Sequence, residues 1–170
     1  MNTTSNAATK NSAAFFSLIN HPIKFRLFLL QKLPAAYFSG LKVKDVNENF
    51  CSVSVPYKWF TRNPFLSTYF ACLSMAAEMS TGILAMAHVY KRLPKTSMLV
   101  IAIEGKFYKK AIGKTTFVCQ EGSFIQQAVE KAIALNEPET IRVLSSGYND
   151  SKELVAEFWV TWSFKIKSTV

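Results

Sequence analysis

The sequence predicts an α+β domain in which an antiparallel sheet curves around one long, almost uncharged helix. Three observations lead there. The stretch from Leu66 to Met86 carries a single charge, Glu78, within an otherwise core-like run. The segments on either side of it alternate apolar and polar residues with a period of two, and they arrive as consecutive pairs rather than as strand–helix–strand units. The last of them places Leu154, Ala156, Phe158, Val160, Trp162, Phe164 and Ile166 on one side and Glu157, Thr161, Ser163 and Lys165 on the other, with Val155 and Trp159 as exceptions. At 152–166 that segment exceeds the usual strand of about six residues, which predicts a long curved sheet.

Composition supports a folded core. The 170 residues suffice to bury one, and 14 phenylalanines argue against disorder. The net charge of +9 favours anionic partners, but the lysines are dispersed and no run of five or six like charges forms, so nucleic acid is not expected. Cys51, Cys72 and Cys119 lie far apart and make no Cys-x-x-Cys pair; with His21 and His88 they show no metal-ligand spacing, so neither a metal nor a resident cofactor is expected. Free thiols within apolar segments fit a reducing cytoplasm.

Along the chain, residues 1–19 read as a flexible lead-in: MNTTSNAATK is polar, and the apolar patch SAAFFSLI ends at Asn20-His21-Pro22, too short for a secretion signal. The single domain is expected over 20–170. Residues 22–33 form a short helix, with Pro22 at its start and Pro34 past its end, expected to lie across the domain's own sheet. Lys24, Arg26 and Lys32 beside Phe and Leu allow a membrane-surface reading, which is the lesser expectation. Strands follow at 41–46 and 50–57, joined by the NEN turn. Asn63-Pro64 marks a break, Ser67 or Thr68 is positioned to cap, and the long helix runs from about 67 to 90 until Leu93-Pro94 stops it. At 1.5 Å per residue it is roughly 35 Å long. It is apolar nearly all round, so it is expected to be enclosed by protein, and its serines, threonines and Glu78 disfavour a lone membrane span. A strand at 98–108 puts Leu99, Ile101, Ile103 and Phe107 on one face. Gly113 then turns the chain into a strand at 114–121. A small helix starts at Ser123, where Gln126 completes a capping box, and strands at 139–147 and 152–166 form a hairpin around YNDS.

The pairing of Asn63 with Glu78 fifteen positions later, and the helix that carries Glu78, resemble the hot-dog acyl-CoA thioesterase superfamily over about residues 20–166. The similarity is to the phenylacetyl-CoA and 4-hydroxybenzoyl-CoA thioesterase type, and more closely to a poorly characterised branch whose helix reads Asn, small and aromatic residues, then Ala-Glu. Where the family often carries a His-Gly-Gly turn, this chain has Tyr69-Phe70-Ala71. The resemblance implies a central helix wrapped by a curved sheet, a site between subunits of a dimer or dimer of dimers joined edge to edge, and CoA only as part of an acyl thioester substrate.

Within that frame each residue has a role to test. A carboxylate in an apolar groove is poorly solvated, so Glu78 suits a general base or a nucleophile. The backbone N–H groups of Phe70 and Ala71, in the first turn, suit the developing oxyanion, with Tyr69 beside them at the substrate. Asn63 would orient the water or the thioester carbonyl, although Asn-Pro equally builds a turn. Thr81, one turn after Glu78, would bond substrate or water, although threonines in helices commonly bond back to the chain. Arg62, Lys95, Lys109, Lys110 and Lys114, near loop ends, are candidates for the CoA phosphates. Two functions follow: a thioesterase using Glu78, or a non-catalytic acyl or lipid carrier in which Glu78 sets orientation. A membrane partner is not expected.

Overall fold

The computed structural model describes residues 2–167, with side chains from residue 10 onward; residue 1 of the expected lead-in and residues 168–170 of the expected domain lie outside them. The elements run α1 (Asn2–Asn20), α2 (Pro22–Lys32), α3 (Pro34–Ser39), β1 (Lys42–Val46), β2 (Cys51–Val55), a 3-10 turn (Trp59–Thr61), α4 (Phe70–Val89), β3 (Thr96–Phe107), β4 (Thr115–Cys119), α5 (Gly122–Leu135), β5 (Glu139–Tyr148) and β6 (Leu154–Ile166). The six strands form one antiparallel sheet in the order β1-β2-β4-β5-β6-β3. It wraps α4, which is the α+β hot-dog arrangement expected from the sequence.

The central helix obeys its composition. Ala76, Ala77, Leu84 and Ala85 are fully buried, and the small residues among them let the sheet approach closely. Ser80 and Ser145 join helix to sheet by a buried hydroxyl–hydroxyl hydrogen bond of 2.8 Å. From the sheet side, Phe158, Val160, Trp162 and Phe164 of β6 fill the space, as their alternation predicts. Each such side chain contributes about 1.5–3 kcal/mol on burial.

Several local expectations are corrected. The helix begins at Phe70 with Tyr69 at its N-cap and no side-chain cap bond. Thr68 does not cap; its hydroxyl donates to the Ala111 carbonyl at 3.0 Å. No capping box forms at Ser123: α5 starts at Gly122, with Glu121 at the cap and no side-chain bond. A glycine is needed there because a Cβ would lie 2.1 Å from the Glu48 carbonyl oxygen in the β1–β2 turn. In β3, the register shifts between Val100 and Ala102, so Leu99 lies opposite Ser163 whereas Ile103 lies opposite Val160. Directly opposed residues share a face, so this bulge puts Leu99 on the outer face and Ile103 on the inner one, dividing a set expected to point one way.

The N-terminal third differs most. The segment expected to be a flexible lead-in is helical, and its second half is docked: Phe15, Phe16 and Ile19 are buried, and Ser12 donates its hydroxyl to the Ala87 carbonyl at 2.8 Å. Helix α2 consequently packs mainly on α1 and α3 instead of across the sheet, and it buries only Phe25 and Leu29.

Candidate functional site

Two cavities take up the predicted site residues, and they divide them. The first, of about 700 Å³, lies at the N-terminal end of α4 and is lined by Arg62, Asn63, Tyr69, Phe70, Lys109 and Lys110 among others. The second, of about 530 Å³, lies along the middle of α4 and is lined by Glu78, Gly82, Trp162 and apolar side chains from α1, α2, α4 and β3. Phe70 and Glu78 are eight residues apart, about 12 Å along the helix axis. Ala71, Thr81, Lys95 and Lys114 line neither cavity.

At the first cavity, the loop before α4 is built by Asn63. Its side-chain oxygen accepts from Phe65 N at 3.0 Å, Ser67 N at 3.2 Å and Ser67 Oγ at 3.2 Å. That carbonyl oxygen is therefore engaged in the turn, leaving the amide N–H₂ as the polar group Asn63 can offer. Phe70 and Ala71 occupy the first turn of α4, where backbone N–H groups have no intrahelical acceptor and the helix dipole adds partial positive charge. The Phe70 ring stands 56% exposed on the cavity wall, in an edge-on pair with Tyr69. On the rim, Lys109 pairs with Glu153. Lys114, outside the cavity, is bound to Asp150 at 2.7 Å, so its charge is already answered.

At the second cavity, the Glu78 carboxylate is half-buried, and among the described residues no Lys, Arg or His lies within ion-pair distance and no hydrogen bond reaches it. Burial raises its pKa above the ordinary carboxylate value, because the charged form loses solvation and no cation restores it. One turn on, a Cβ at Gly82 would lie 3.1 Å from Glu78 Oε1 and 3.3 Å from the Trp162 ring. Glycine in a helix interior costs about 1 kcal/mol against alanine, so its presence marks space kept for the carboxylate.

Thr81 is assigned elsewhere than expected. It is fully buried, its hydroxyl donates to the Glu78 carbonyl at 2.9 Å, and it accepts the Trp162 indole N–H at 3.0 Å. It fixes the wall of the cavity and does not face its interior. His88 is buried beside the Arg92–Glu130 ion pair, and its pKa falls to about 4, first through burial and then through Arg92.

Sequence reasoning missed the cavity's outer wall. Phe15, Leu18 and Ile19 of α1 and Phe25 and Phe28 of α2 line it. The signal was present in SAAFFSLI, an apolar patch weighed only as a secretion signal. Gly82 was missed as well, for want of any sign that a side chain would crowd Glu78.

Residues 24–164 match the family model described as Domain of unknown function (DUF4442). No curated protein matches the chain. Among solved structures, a Pseudomonas aeruginosa protein of unknown function described as a probable thioesterase is 17% identical, with a TM-score of 0.73 over 86% of this chain and 97% of that one. The PaaI protein of the E. coli phenylacetic acid degradation operon is 14% identical, at 0.61 over 98% and 99%. A Haemophilus influenzae thioesterase is 12% identical, at 0.62 over 81% and 87%. At these identities the likeness establishes the shared fold. The chain therefore belongs to the DUF4442 family, on a hot-dog fold.

Proposed function

We propose that the protein is a thioesterase that hydrolyses an acyl thioester, with Glu78 as base or nucleophile and the second cavity as the acyl pocket. The observation that carries this reading is the unpaired, half-buried Glu78 carboxylate opening onto about 530 Å³ of apolar space. A half-buried carboxylate with no cation beside it loses part of its hydration, and no ion pair or hydrogen bond restores that loss among the described residues. Of the three neighbours named above, one is described as a thioesterase and one as a probable thioesterase, which supports the reaction class.

In this reading Glu78 takes a proton from water as the water oxygen attacks the thioester carbonyl. The resulting oxyanion is held by backbone N–H groups; its collapse breaks the carbon–sulfur bond, and the proton returns to the departing thiolate, giving a carboxylic acid and a free thiol. As a nucleophile, Glu78 would instead attack the carbonyl and expel the thiolate, which takes a proton from water, leaving a mixed anhydride that water cleaves to the carboxylic acid and free Glu78.

Phe70 and Ala71 precede Glu78 by about 12 Å and about 10 Å along the helix axis, and Phe70 and Glu78 border different cavities. We therefore place the complete site between two copies. Strand β3 is one of the two edges of the sheet and exposes Leu99, Ile101, Ile103 and Phe107. A long apolar edge is an aggregation hazard unless covered. Pairing of two β3 edges covers it and lets the first turn of one α4 meet Glu78 of the other. Arg62 and Lys110 at the first cavity, with Lys95 beyond it, would then serve CoA phosphates, whereas Lys109, like Lys114, is already paired with a carboxylate. The three free, buried cysteines support the cytoplasm as the compartment.

One observation favours the carrier reading. Phe70 stands where glycine would leave room for substrate, and its exposed ring narrows the approach to the N–H groups. A panel of short, medium and aromatic acyl-CoAs, offered to wild type and Glu78→Gln side by side, tests the proposal. Steady hydrolysis lost in the variant supports the enzyme; stoichiometric acyl binding without turnover supports the carrier.

A further inference from the structure

We infer that the outward face of α2 docks the protein on an anionic lipid bilayer. The helix reads PIKFRLFLLQK and contains no acidic residue. Its inward positions, Phe25 and Leu29, are buried against the domain. On the opposite side Ile23, Leu27 and Leu30, spaced i, i+4, i+7, are 67%, 52% and 40% exposed. The side of the helix that a surface helix normally gives to polar residues is thus aliphatic, an arrangement suited to lying in a membrane interface.

Charge around this helix names the occupant. Residues 1–44 contain six Lys and Arg (Lys10, Lys24, Arg26, Lys32, Lys42 and Lys44) and no Asp or Glu, so they carry six of the nine net charges. Lys24 and Lys32 are exposed on α2 itself, and Lys42 and Lys44 are exposed on the edge strand β1. None of these four, nor Arg26, is ion-paired among the described residues. A second copy would bring two such basic segments together, and a phosphodiester chain has no use for three aliphatic side chains between the cations. An anionic bilayer accepts both.

Arg26 adds a third, geometric observation. Its guanidinium lies 4.0 Å over the Tyr37 ring, and its buried Nη1 has no acceptor. It borders a groove of about 480 Å³ that also holds Asn20, Lys42 and Lys44. A stacked guanidinium with an unanswered N–H, beside two lysines, is prepared for a phosphate oxygen, here that of a lipid headgroup. Phe28 and Leu33 of the same α2 region, half-exposed, stand on the rim of the cavity that holds Glu78, so a docked helix would open that cavity towards the acyl chains. The docking inference does not depend on hydrolysis.

The test is co-sedimentation of the full chain with phosphatidylcholine vesicles and with vesicles containing about 30 mol% phosphatidylglycerol, at about 0.1 M and about 1 M salt. Binding is expected to the anionic vesicles alone and to fall at high salt. Joint replacement of Ile23, Leu27 and Leu30 by Gln is expected to weaken it tenfold or more, with circular dichroism unchanged. The milder single variant Leu27→Glu is expected to weaken it too. Replacing Lys24 and Lys32 by Gln is expected to weaken it about fivefold per charge. Absence of binding by wild type, equal binding to neutral vesicles, or full binding by the two outward-face variants would overturn the inference. So would light scattering showing that these substitutions break an oligomer built through this face.

Discussion

Gly82 keeps open the space into which the Glu78 carboxylate turns, against the Trp162 ring. Substitution Gly82→Ala brings a methyl to 3.1 Å from the carboxylate and 3.3 Å from the indole. The indole is tethered by Thr81, whereas the carboxylate is the end of a flexible side chain, so the carboxylate yields. Helix propensity gains about 1 kcal/mol, roughly 2–4 °C for a chain of this size, and crowding offsets part of it. We expect a melting temperature at or slightly above wild type, with kcat/KM for acyl-CoA reduced about tenfold or more. A fully active, more stable variant would show that the space is not reserved for Glu78.

Thr81 and Trp162 form one unit. Thr81→Val removes the acceptor of a buried indole N–H and is expected to destabilise by about 1–3 kcal/mol. Thr81→Ser keeps the hydroxyl and should recover most of that loss. Denaturant melts of both variants, with tryptophan emission as the probe, check the pair. A Val variant as stable as wild type would show that the indole N–H does not depend on the Thr81 hydroxyl.

His88 makes stability depend on pH. Its folded pKa, about 4, lies below the unfolded value of about 6.5, so between these values the unfolded chain binds more protons. Stability is therefore retained above about pH 6.5 and lost as pH falls towards 4, by up to about 1.4 kcal/mol per unit. Glu78 shifts in the opposite sense, so the comparison to make is wild type against His88→Leu in melts from pH 4 to 7. The difference between them should change with that slope; a constant difference would contradict it.

The β3 edge is expected to join two copies. Ile103→Lys places a charge on the exposed inner face of that edge, where like charges then meet across the proposed seam. Light scattering should show a dimer or larger assembly for wild type and a monomer for the variant, with hydrolysis reduced at least a hundredfold. A monomeric wild type, or a monomeric variant that stays active, would contradict the shared site.

Much of this fold was legible in the sequence because two periodicities carry it. The near-uncharged run gave α4 within a few residues of its observed limits, Phe70 and Val89, and the alternation of β6 named its buried face. What escaped depends on tertiary contact. The bulge at Val100–Ala102 turns one face of β3 over without any change in pattern, and the polar opening of α1 hid the apolar second half that docks. At the site, Glu78 stood out as a lone charge in an apolar helix. The role of Gly82 and the engagement of Thr81 by Trp162 require knowing what lies across from them on β6. The separation of Asn63 and Phe70 from Glu78 follows from helix rise, yet only the cavities show that one chain does not join them.

The central claim is that Glu78 is kept unpaired for chemistry. Turnover of acyl-CoA and thermal stability, measured together at pH 7 on wild type and Glu78→Gln, test it most directly. Because the folded pKa of Glu78 lies above its unfolded value, the charged form is disfavoured once pH exceeds the ordinary carboxylate range, and the neutral amide relieves that cost. The account predicts turnover lower by about 10²–10⁴-fold with a melting temperature equal to or above that of wild type, the stability gain shrinking as pH falls towards 4.5. Turnover within a few-fold of wild type, or a melting temperature lowered by loss of the carboxylate, would contradict it.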